Sequence, residues 1–179
     1  QGLPDYLPRA NTMWGTGYPR ALAADPADPN LVYLGIDGDP EDGKSGGGVF
    51  KSEDGGRTWR QLPNQPGSRR VFFGLAVDPA DPRRLYWAGC GNAGGLYRSE
   101  DKGGTWKLVF DKEKWIFNIL VTAGGVVYCP GFQLWRSPDH GKTWEQLSNF
   151  EPSRQIVGLA SHPRDPRTVW LSTVSWDGT

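Results

Sequence analysis

The chain has 179 residues, with 20 Lys and Arg against 20 Asp and Glu, so its formal net charge is zero. This balance gives no overall field that would attract nucleic acid or an anionic membrane surface, and we expect neither as a partner. The sequence lacks an apolar run of about 18 residues, the length that a membrane span needs. Its 25 Gly, 15 Pro and 9 Trp predict many short strands and tight turns rather than helices.

Short apolar runs bounded by Gly, Pro and Asp follow one another along the chain, and each is typical of a β-strand. The first unit contains "RALAA", "LVYLG", "GGVFKS" and "WRQL", and the second contains "FGLAV", "RLYWAG", "GGLYRS" and "WKLV". The third contains "FNILV", "GVVYC", "FQLWRS" and "WEQL", and the chain continues with "VGLAS" and "TVWLS". Four-stranded units with a period of roughly 40–50 residues predict an all-β fold, a β-propeller of antiparallel blades.

About three and a half blades are predicted from this pattern. Complete blades are expected at residues 18–62, 70–110 and 114–147, a partial blade at 155–179, and an N-terminal extension or the end of a preceding blade at 1–17. An open arc exposes strand edges, which closure of a propeller removes. We therefore expect the chain to be part of a larger propeller of roughly six to eight blades. The alternative is a chain that closes by assembling with copies of itself.

One motif recurs between the third and fourth strands of each unit, as "KSEDGGRTW", "RSEDKGGTW" and "RSPDHGKTW". Asp can accept hydrogen bonds from turn amides, and Ser or Thr hydroxyls can bond the nearby backbone. Gly supplies a positive φ, and Trp packs its large face between neighbouring sheets. Because these are folding roles, we interpret the motif as structural. Its residues are Ser52, Asp54, Gly56, Thr58, Trp59, Ser99, Asp101, Gly103, Thr105, Trp106, Ser137, Asp139, Gly141, Thr143 and Trp144. We expect the three Trp residues in equivalent buried positions.

The motif matches S/T-x-D-x-G-x-T-W, the Asp-box or BNR repeat, and the chain resembles the Asp-box β-propellers over about residues 17–173. By pattern it resembles the xyloglucan-active endoglucanases of glycoside hydrolase family seventy-four and bacterial BNR-repeat glycosyl hydrolases. Sialidases, the sortilin luminal domain and the photosystem II assembly propeller carry the same motif. Since hydrolases and binding proteins share it, the resemblance specifies the fold more than an activity.

The alternating strand directions sort the loops onto two faces of the propeller. The turns between strands one and two share a face with the Asp-boxes, while the strand two–three loops and blade-to-blade connections share the opposite face. Loops on that opposite face vary in length and composition, which is typical of binding sites on a rigid scaffold. The candidate ligand-binding residues there are Arg70, Trp115, Trp176 and Asp177. Trp14, Trp115 and Trp176 either stack on sugar rings or are buried between blades.

Asp37 is the candidate catalytic residue, on the strength of the resemblance. In the xyloglucan-active enzymes a catalytic Asp follows the second strand of an early blade, and "LVYLGIDGDP" has Asp37 in the matching column. Gly35 and Ile36 replace the Arg-Thr of that family's pattern. An inverting glycosidase needs a second carboxylate about 6.5–9.5 Å away, for which Asp177 is the local candidate. The acidic loop around Asp37 lacks the spacing of an EF-hand, so we interpret it as solvated.

No cofactor or metal is expected from the motifs. Cys90 and Cys129 are too few for a disulfide framework and are not spaced like zinc ligands. We expect two free buried thiols, with a bridge between them as the alternative. His140 and His162 both lie in turns, and neither supports a Ser-His-Asp or Cys-His arrangement. An arginine cluster and a Tyr nucleophile of the sialidase type are not evident either.

Two functions follow as hypotheses. The first is a secreted or periplasmic propeller scaffold that binds a protein partner or a glycan on the face opposite the Asp-boxes. The alternative is an inverting endo-glycoside hydrolase acting on a β-glucan such as xyloglucan. An acidic residue facing Asp37 across a groove lined by Trp115 or Trp176 would distinguish the alternative from the first.

Overall fold

The computed structural model describes residues 1–3, 19–36, 47–64, 71–90, 94–151, 154–165 and 167–175. The regular elements in these ranges are 14 β-strands, numbered β1 to β14 in chain order. Within the same ranges we find no helix that is long and apolar enough to cross a membrane. The prediction of an all-β fold is therefore confirmed.

The strands form three four-stranded antiparallel sheets and one two-stranded sheet, each in sequence order. Blade one contains β1 (Pro19–Ala24), β2 (Val32–Ile36), β3 (Gly48–Ser52) and β4 (Arg60–Gln61). Blade two contains β5 (Val71–Val77), β6 (Leu85–Gly89), β7 (Gly95–Ser99) and β8 (Lys107–Phe110). Blade three contains β9 (Leu120–Val121), β10 (Val127–Pro130), β11 (Leu134–Ser137) and β12 (Glu145–Gln146). Blade four contains β13 (Arg154–Ser161) and β14 (Val169–Ser175). The predicted residue limits of the blades stay a prediction.

The register of the blades is the same at the Asp-box end. The Ser that opens each Asp-box pairs with the first residue of the second strand, as Val32 with Ser52, Leu85 with Ser99, and Val127 with Ser137. Each Asp-box therefore starts at the same height on its blade. The strand two–three loops leave the opposite end of the same strand pairs, so the two faces predicted from strand direction are confirmed for these blades.

Apolar side chains fill the spaces between neighbouring blades. One buried cluster joins blades one and two through Tyr33, Val49, Leu75 and Trp87. A second joins blades two and three, and its buried members are Tyr86, Ala88, Leu96, Phe110, Ile116, Ile119, Val127 and Cys129. Burying one large apolar side chain contributes about 1.5–3 kcal/mol. The sheets are thus held to one another by burial of the faces that a single blade would leave in water.

The three Asp-box Trp residues are half-buried rather than buried as predicted, and Trp106 and Trp144 pack against the clusters between blades. Trp106 packs edge-on against Trp87, with ring centroids 5.8 Å apart. Trp144 lies 4.7 Å from Phe110 between centroids and donates its indole N–H to the Val109 carbonyl at 3.0 Å. Trp106 and Trp144 therefore occupy equivalent positions, as predicted. They are less buried than predicted.

Candidate functional site

The Asp-box turns use their own side chains to close the backbone. In blades one, two and three the Ser hydroxyl accepts a hydrogen bond from the N–H of the motif Gly at 2.8, 2.8 and 2.7 Å. The same hydroxyl donates to the motif Asp at 2.7, 2.8 and 2.8 Å. The Thr donates both its N–H and its hydroxyl to that carboxylate. Since these groups are engaged with one another in all three turns, the Asp-boxes are structural and are poor candidates for a ligand site.

The geometry of these turns also explains their residue types. The motif Gly has a φ of 90°, 88° and 84° in the three blades, a region that a side chain disfavours. The hydrogen bonds donated by the following Thr stabilise the ionised carboxylate. They lower the pKa of Asp54, Asp101 and Asp139 below the ordinary value for aspartate.

Trp115 is the one predicted ligand-binding residue that lies within the described residues. The other predicted residues of that site, Asp37, Arg70, Trp176 and Asp177, lie outside them, as do Trp14 and most of the acidic loop. Trp115 stands on the connection from blade two to blade three, on the face opposite the Asp-boxes. The residue is 39% exposed, which is high for so large an apolar group. Trp115 is therefore partly open to solvent on this connection.

Glu113 holds the start of this connection, which we define as residues 111–119. It is 7% exposed, and its carboxylate accepts three hydrogen bonds from blade three. The donors are the N–H groups of Phe132 at 3.3 Å and Gln133 at 3.1 Å, and the indole Nε1 of Trp135 at 3.2 Å. Sequence reasoning named Trp115 on this face but not Glu113, which lies two residues before it. The signal that it passed over was an acidic residue amid lysines next to that Trp.

Residues after Glu113 contact the blades on either side. The Lys114 ammonium donates to the Gly94 carbonyl of blade two at 3.2 Å, and the Cys90 thiol donates to the Ile116 carbonyl at 3.4 Å. On the other side, the Gln155 amide of blade four donates to the Trp115 carbonyl at 3.4 Å. The connection is thus held by blades two, three and four, and Trp115 lies between its anchored residues.

A cavity of about 200 Å³ lies beside the Asp-box of blade one, away from this face. Its lining includes Lys51, Glu53 and Arg60. The Glu53 carboxylate already pairs with Lys51 at 2.7 Å and with Arg60 at 3.3 Å. Because both cations already pair with the Glu53 carboxylate, the cavity offers a ligand less than the exposed Trp115 does.

Metal and thiol chemistry find little support among the described residues. In that part of the chain we find no group of three His, Cys, Asp or Glu side chains that could hold a metal ion. Cys90 and Cys129 are both buried, and no disulfide bond joins them. Burial raises the pKa of the Cys129 thiol, so its reactive thiolate form is suppressed.

The chain consists of repeated four-stranded antiparallel sheets that carry Asp-box turns. These two features define it as an Asp-box β-propeller. The family model for the BNR-Asp box repeat matches residues 134–147, which cover the third motif. The predicted resemblance is therefore confirmed at the level of repeat and fold.

Comparison with curated proteins finds xyloglucanases. The chain is 40% identical over 173 residues to a xyloglucanase from Paenibacillus sp., a match covering 92% of this chain and 13% of that protein. It is 42% identical over 160 residues to the xyloglucanase Xgh74A from Acetivibrio thermocellus, covering 78% of this chain and 14% of that protein. The chain thus spans about one seventh of the length of these relatives.

Solved structures show the same fold. The GH74 xyloglucanase from Xanthomonas campestris superposes with a TM-score of 0.63 and 24% identity, over 79% of this chain and 25% of that one. The GH74 enzyme from Niastella koreensis gives 0.63 and 23%, over 80% of this chain and 24% of that one. YCF48 from Cyanidioschyzon merolae gives 0.52 and 16%, over 80% of this chain and 46% of that one. At these identities the likeness concerns the fold alone.

Proposed function

We propose that the face opposite the Asp-boxes binds a β-glucan of the xyloglucan class, and that Trp115 is a stacking platform for its sugar rings. The observation that carries this proposal is the identity of 40–42% to proteins named as xyloglucanases. It favours a glycan over the protein partner that the sequence left open. The glycan would be polymeric, and a polymer of glucose does not enter cells, so we also propose an extracytoplasmic location.

The exposed indole of Trp115 fits this ligand chemically. A β-linked glucose ring presents an apolar face of C–H groups, which packs on a flat aromatic surface. Trp combines the largest such surface with only two rotatable side-chain bonds, so little conformational entropy is lost on binding. The hydrogen bonds of the Lys114 ammonium and of the Trp115 and Ile116 carbonyls further hold the platform in place before the ligand arrives. Such preorganisation increases affinity.

The charge of the chain is compatible with a neutral glycan. Its Lys and Arg equal its Asp and Glu in number, so no long-range field would select a polyanionic polysaccharide. Recognition of an uncharged glucan depends instead on stacking and on hydrogen bonds at short range. We therefore expect its binding to change little with salt concentration.

The test of this proposal is calorimetric titration of the protein with xyloglucan oligosaccharides. Trp115→Ala is expected to weaken binding about tenfold, which corresponds to about 1.4 kcal/mol. Trp170→Ala is the matched control, because Trp170 is 53% exposed but lies at the start of β14, towards the Asp-box face. Unchanged affinity in Trp115→Ala, or an equal loss in the control, contradicts the proposal.

Hydrolysis is the second candidate function, because the relatives of this chain are named as hydrolases of xyloglucan. In an inverting reaction one carboxylic acid protonates the glycosidic oxygen, and a second carboxylate deprotonates the attacking water. Asp37 and Asp177 stay our proposals for carboxylates of this kind. The protein is assayed for new reducing ends on xyloglucan beside its Asp37→Asn variant. Activity that survives this change excludes Asp37 from catalysis.

A further inference from the structure

We infer that Glu113 is a positioning residue, which fixes Trp115 in the orientation that the glycan needs. This inference rests on the proposed function of the face opposite the Asp-boxes. It assigns a ligand-related role to a carboxylate that the ligand itself does not touch.

The surroundings of Glu113 are those of an anchor. A carboxylate that is nine-tenths buried requires hydrogen-bond donors, and blade three supplies three of them. Two of the donors are backbone N–H groups in the turn between β10 and β11, and the third is the indole of Trp135 on β11. The connection is therefore attached to the rigid part of blade three and not to another loop.

The close approach of the two segments depends on Gly131. A Cβ atom added there would lie 2.5 Å from a carboxylate oxygen of Glu113. The carbonyl of the same Gly131 accepts a hydrogen bond from the N–H of Ile156 in blade four at 2.9 Å. The turn that receives Glu113 is thus itself bound to the next blade, which makes it a firm support.

The other end of the short segment is fixed independently. The Ile116 side chain is fully buried, and its carbonyl accepts the Cys90 thiol. Glu113 and Ile116 enclose Lys114 and Trp115, so the backbone beneath the exposed indole is held on both sides. Releasing the Glu113 end would leave the segment held by blades two and four alone, and the indole would lose the part of its support that blade three provides.

Three substitutions at Glu113 distinguish the effect of side-chain length from the effect of side-chain charge. Glu113→Gln keeps the length of the side chain and one acceptor oxygen, which suffices for Gln133 and Trp135. Glu113→Asp keeps the charge but is shorter by one methylene, so it does not reach the turn. Glu113→Ala removes both. If the role is to span the distance, affinity for xyloglucan oligosaccharides falls least in Glu113→Gln and about three- to tenfold in the other two.

A double-variant experiment shows whether the effect passes through Trp115. When the Glu113 substitutions are repeated in the Trp115→Ala background, they should cause no further loss of affinity. Binding is measured well below each variant's melting temperature, so that a loss of stability does not count as a loss of affinity. A Glu113 effect that persists without the indole overturns the inference.

Fluorine NMR gives a readout that does not need a ligand. In protein labelled with 5-fluorotryptophan, the Trp115 resonance is assigned by its disappearance in Trp115→Phe. The inference expects this resonance to shift or broaden in Glu113→Asp and Glu113→Ala, to change least in Glu113→Gln, and the Trp59 resonance to stay in place. A Trp115 resonance that is unchanged in all three variants overturns the inference.

The outcomes separate the inference from the proposed function. If Trp115→Ala weakens binding but the Glu113 variants do not, the proposed function stands and the inference is wrong. If Trp115→Ala leaves binding unchanged, the proposed function is wrong, and the fluorine resonance alone decides whether Glu113 positions the indole. If Glu113→Ala fails to fold, the comparison of Glu113→Gln with Glu113→Asp still shows whether affinity depends on the length of the side chain.

Discussion

The Nδ1 atom of His140 lies 2.9 Å from the Oδ2 atom of Asp78, so the third Asp-box contacts a fully buried carboxylate of blade two. Arg84 donates to the same carboxylate oxygen at 2.7 Å, and the carbonyl of His140 accepts a hydrogen bond from Arg98 at 2.5 Å. These side chains form a polar joint between blades two and three on the Asp-box face. This polar joint connects the same two blades as the apolar cluster that fills the space between them.

Replacement of His140 tests how much this joint contributes. His140→Ala removes one contact of a buried carboxylate and is expected to lower the free energy of unfolding by about 1–3 kcal/mol. Lys102→Ala is the matched control, because Lys102 has the same place in the second Asp-box and a φ of 57° against 60° for His140. Denaturant unfolding measures both variants. Equal losses would show that the left-handed backbone, and not the Asp78 contact, is responsible.

Gly125 is predicted to be intolerant of a side chain. A Cβ atom at this position would lie 2.0 Å from the His140 ring, and the φ of 75° disfavours any residue but Gly. The ring could move aside only by leaving Asp78, so Gly125→Ala should cost about 2–4 kcal/mol of unfolding free energy.

The neighbouring glycine supplies the control for that experiment. A Cβ atom on Gly124 would have its nearest neighbour at 4.0 Å, so Gly124→Ala should change stability by less than about 1 kcal/mol. In the His140→Ala background the cost of Gly125→Ala should fall, because the ring is gone, but not to zero, because the backbone strain remains. An unchanged cost would place the whole effect in the backbone.

The contrast between these features and the Asp-boxes shows what the sequence could predict. Strands and Asp-box turns are specified by residues within ten positions of one another, so their patterns are visible in the chain. His140 and Asp78 are 62 residues apart, and only the packing of two blades brings them together. The same holds for Glu113, whose three partners are 19 to 22 residues away and include two backbone N–H groups that carry no sequence signal. Trp115 was predicted because an exposed connection and a large aromatic residue coincide.

The lowered pKa values of the Asp-box carboxylates predict how stability depends on pH. Their pKa values lie below the unfolded value of about 3.9, because hydrogen bonds from Thr favour the charged form. The stability that these carboxylates contribute is therefore fully present above about pH 5 and is lost progressively as the pH falls through and below 4. Thermal unfolding from pH 7 to pH 2 should show a flat region followed by a fall.

A variant of one Asp-box tests the origin of that fall. Asp139→Asn should lower stability at pH 7 and make the fall below pH 4 shallower, because one of the depressed carboxylates no longer titrates. Asp111→Asn, which alters an exposed carboxylate on the connection between blades two and three, should change neither. An acid transition that is identical in Asp139→Asn and the parent chain would mean that other groups cause it.

The two cysteines are predicted to be unreactive in the folded chain and reactive after unfolding. Cys90 and Cys129 are 1% and 0% exposed, so a reagent has little access to either thiol. Burial also raises the pKa of the Cys129 thiol, so little of its reactive thiolate form is present. An aromatic disulfide reagent should therefore modify neither thiol of the native protein within minutes, but both in concentrated guanidinium. Cys90→Ala isolates Cys129 and should retain this protection. If the unfolded parent chain offers no thiol until a reductant is added, the bridge is present, and the assignment of two free thiols is wrong.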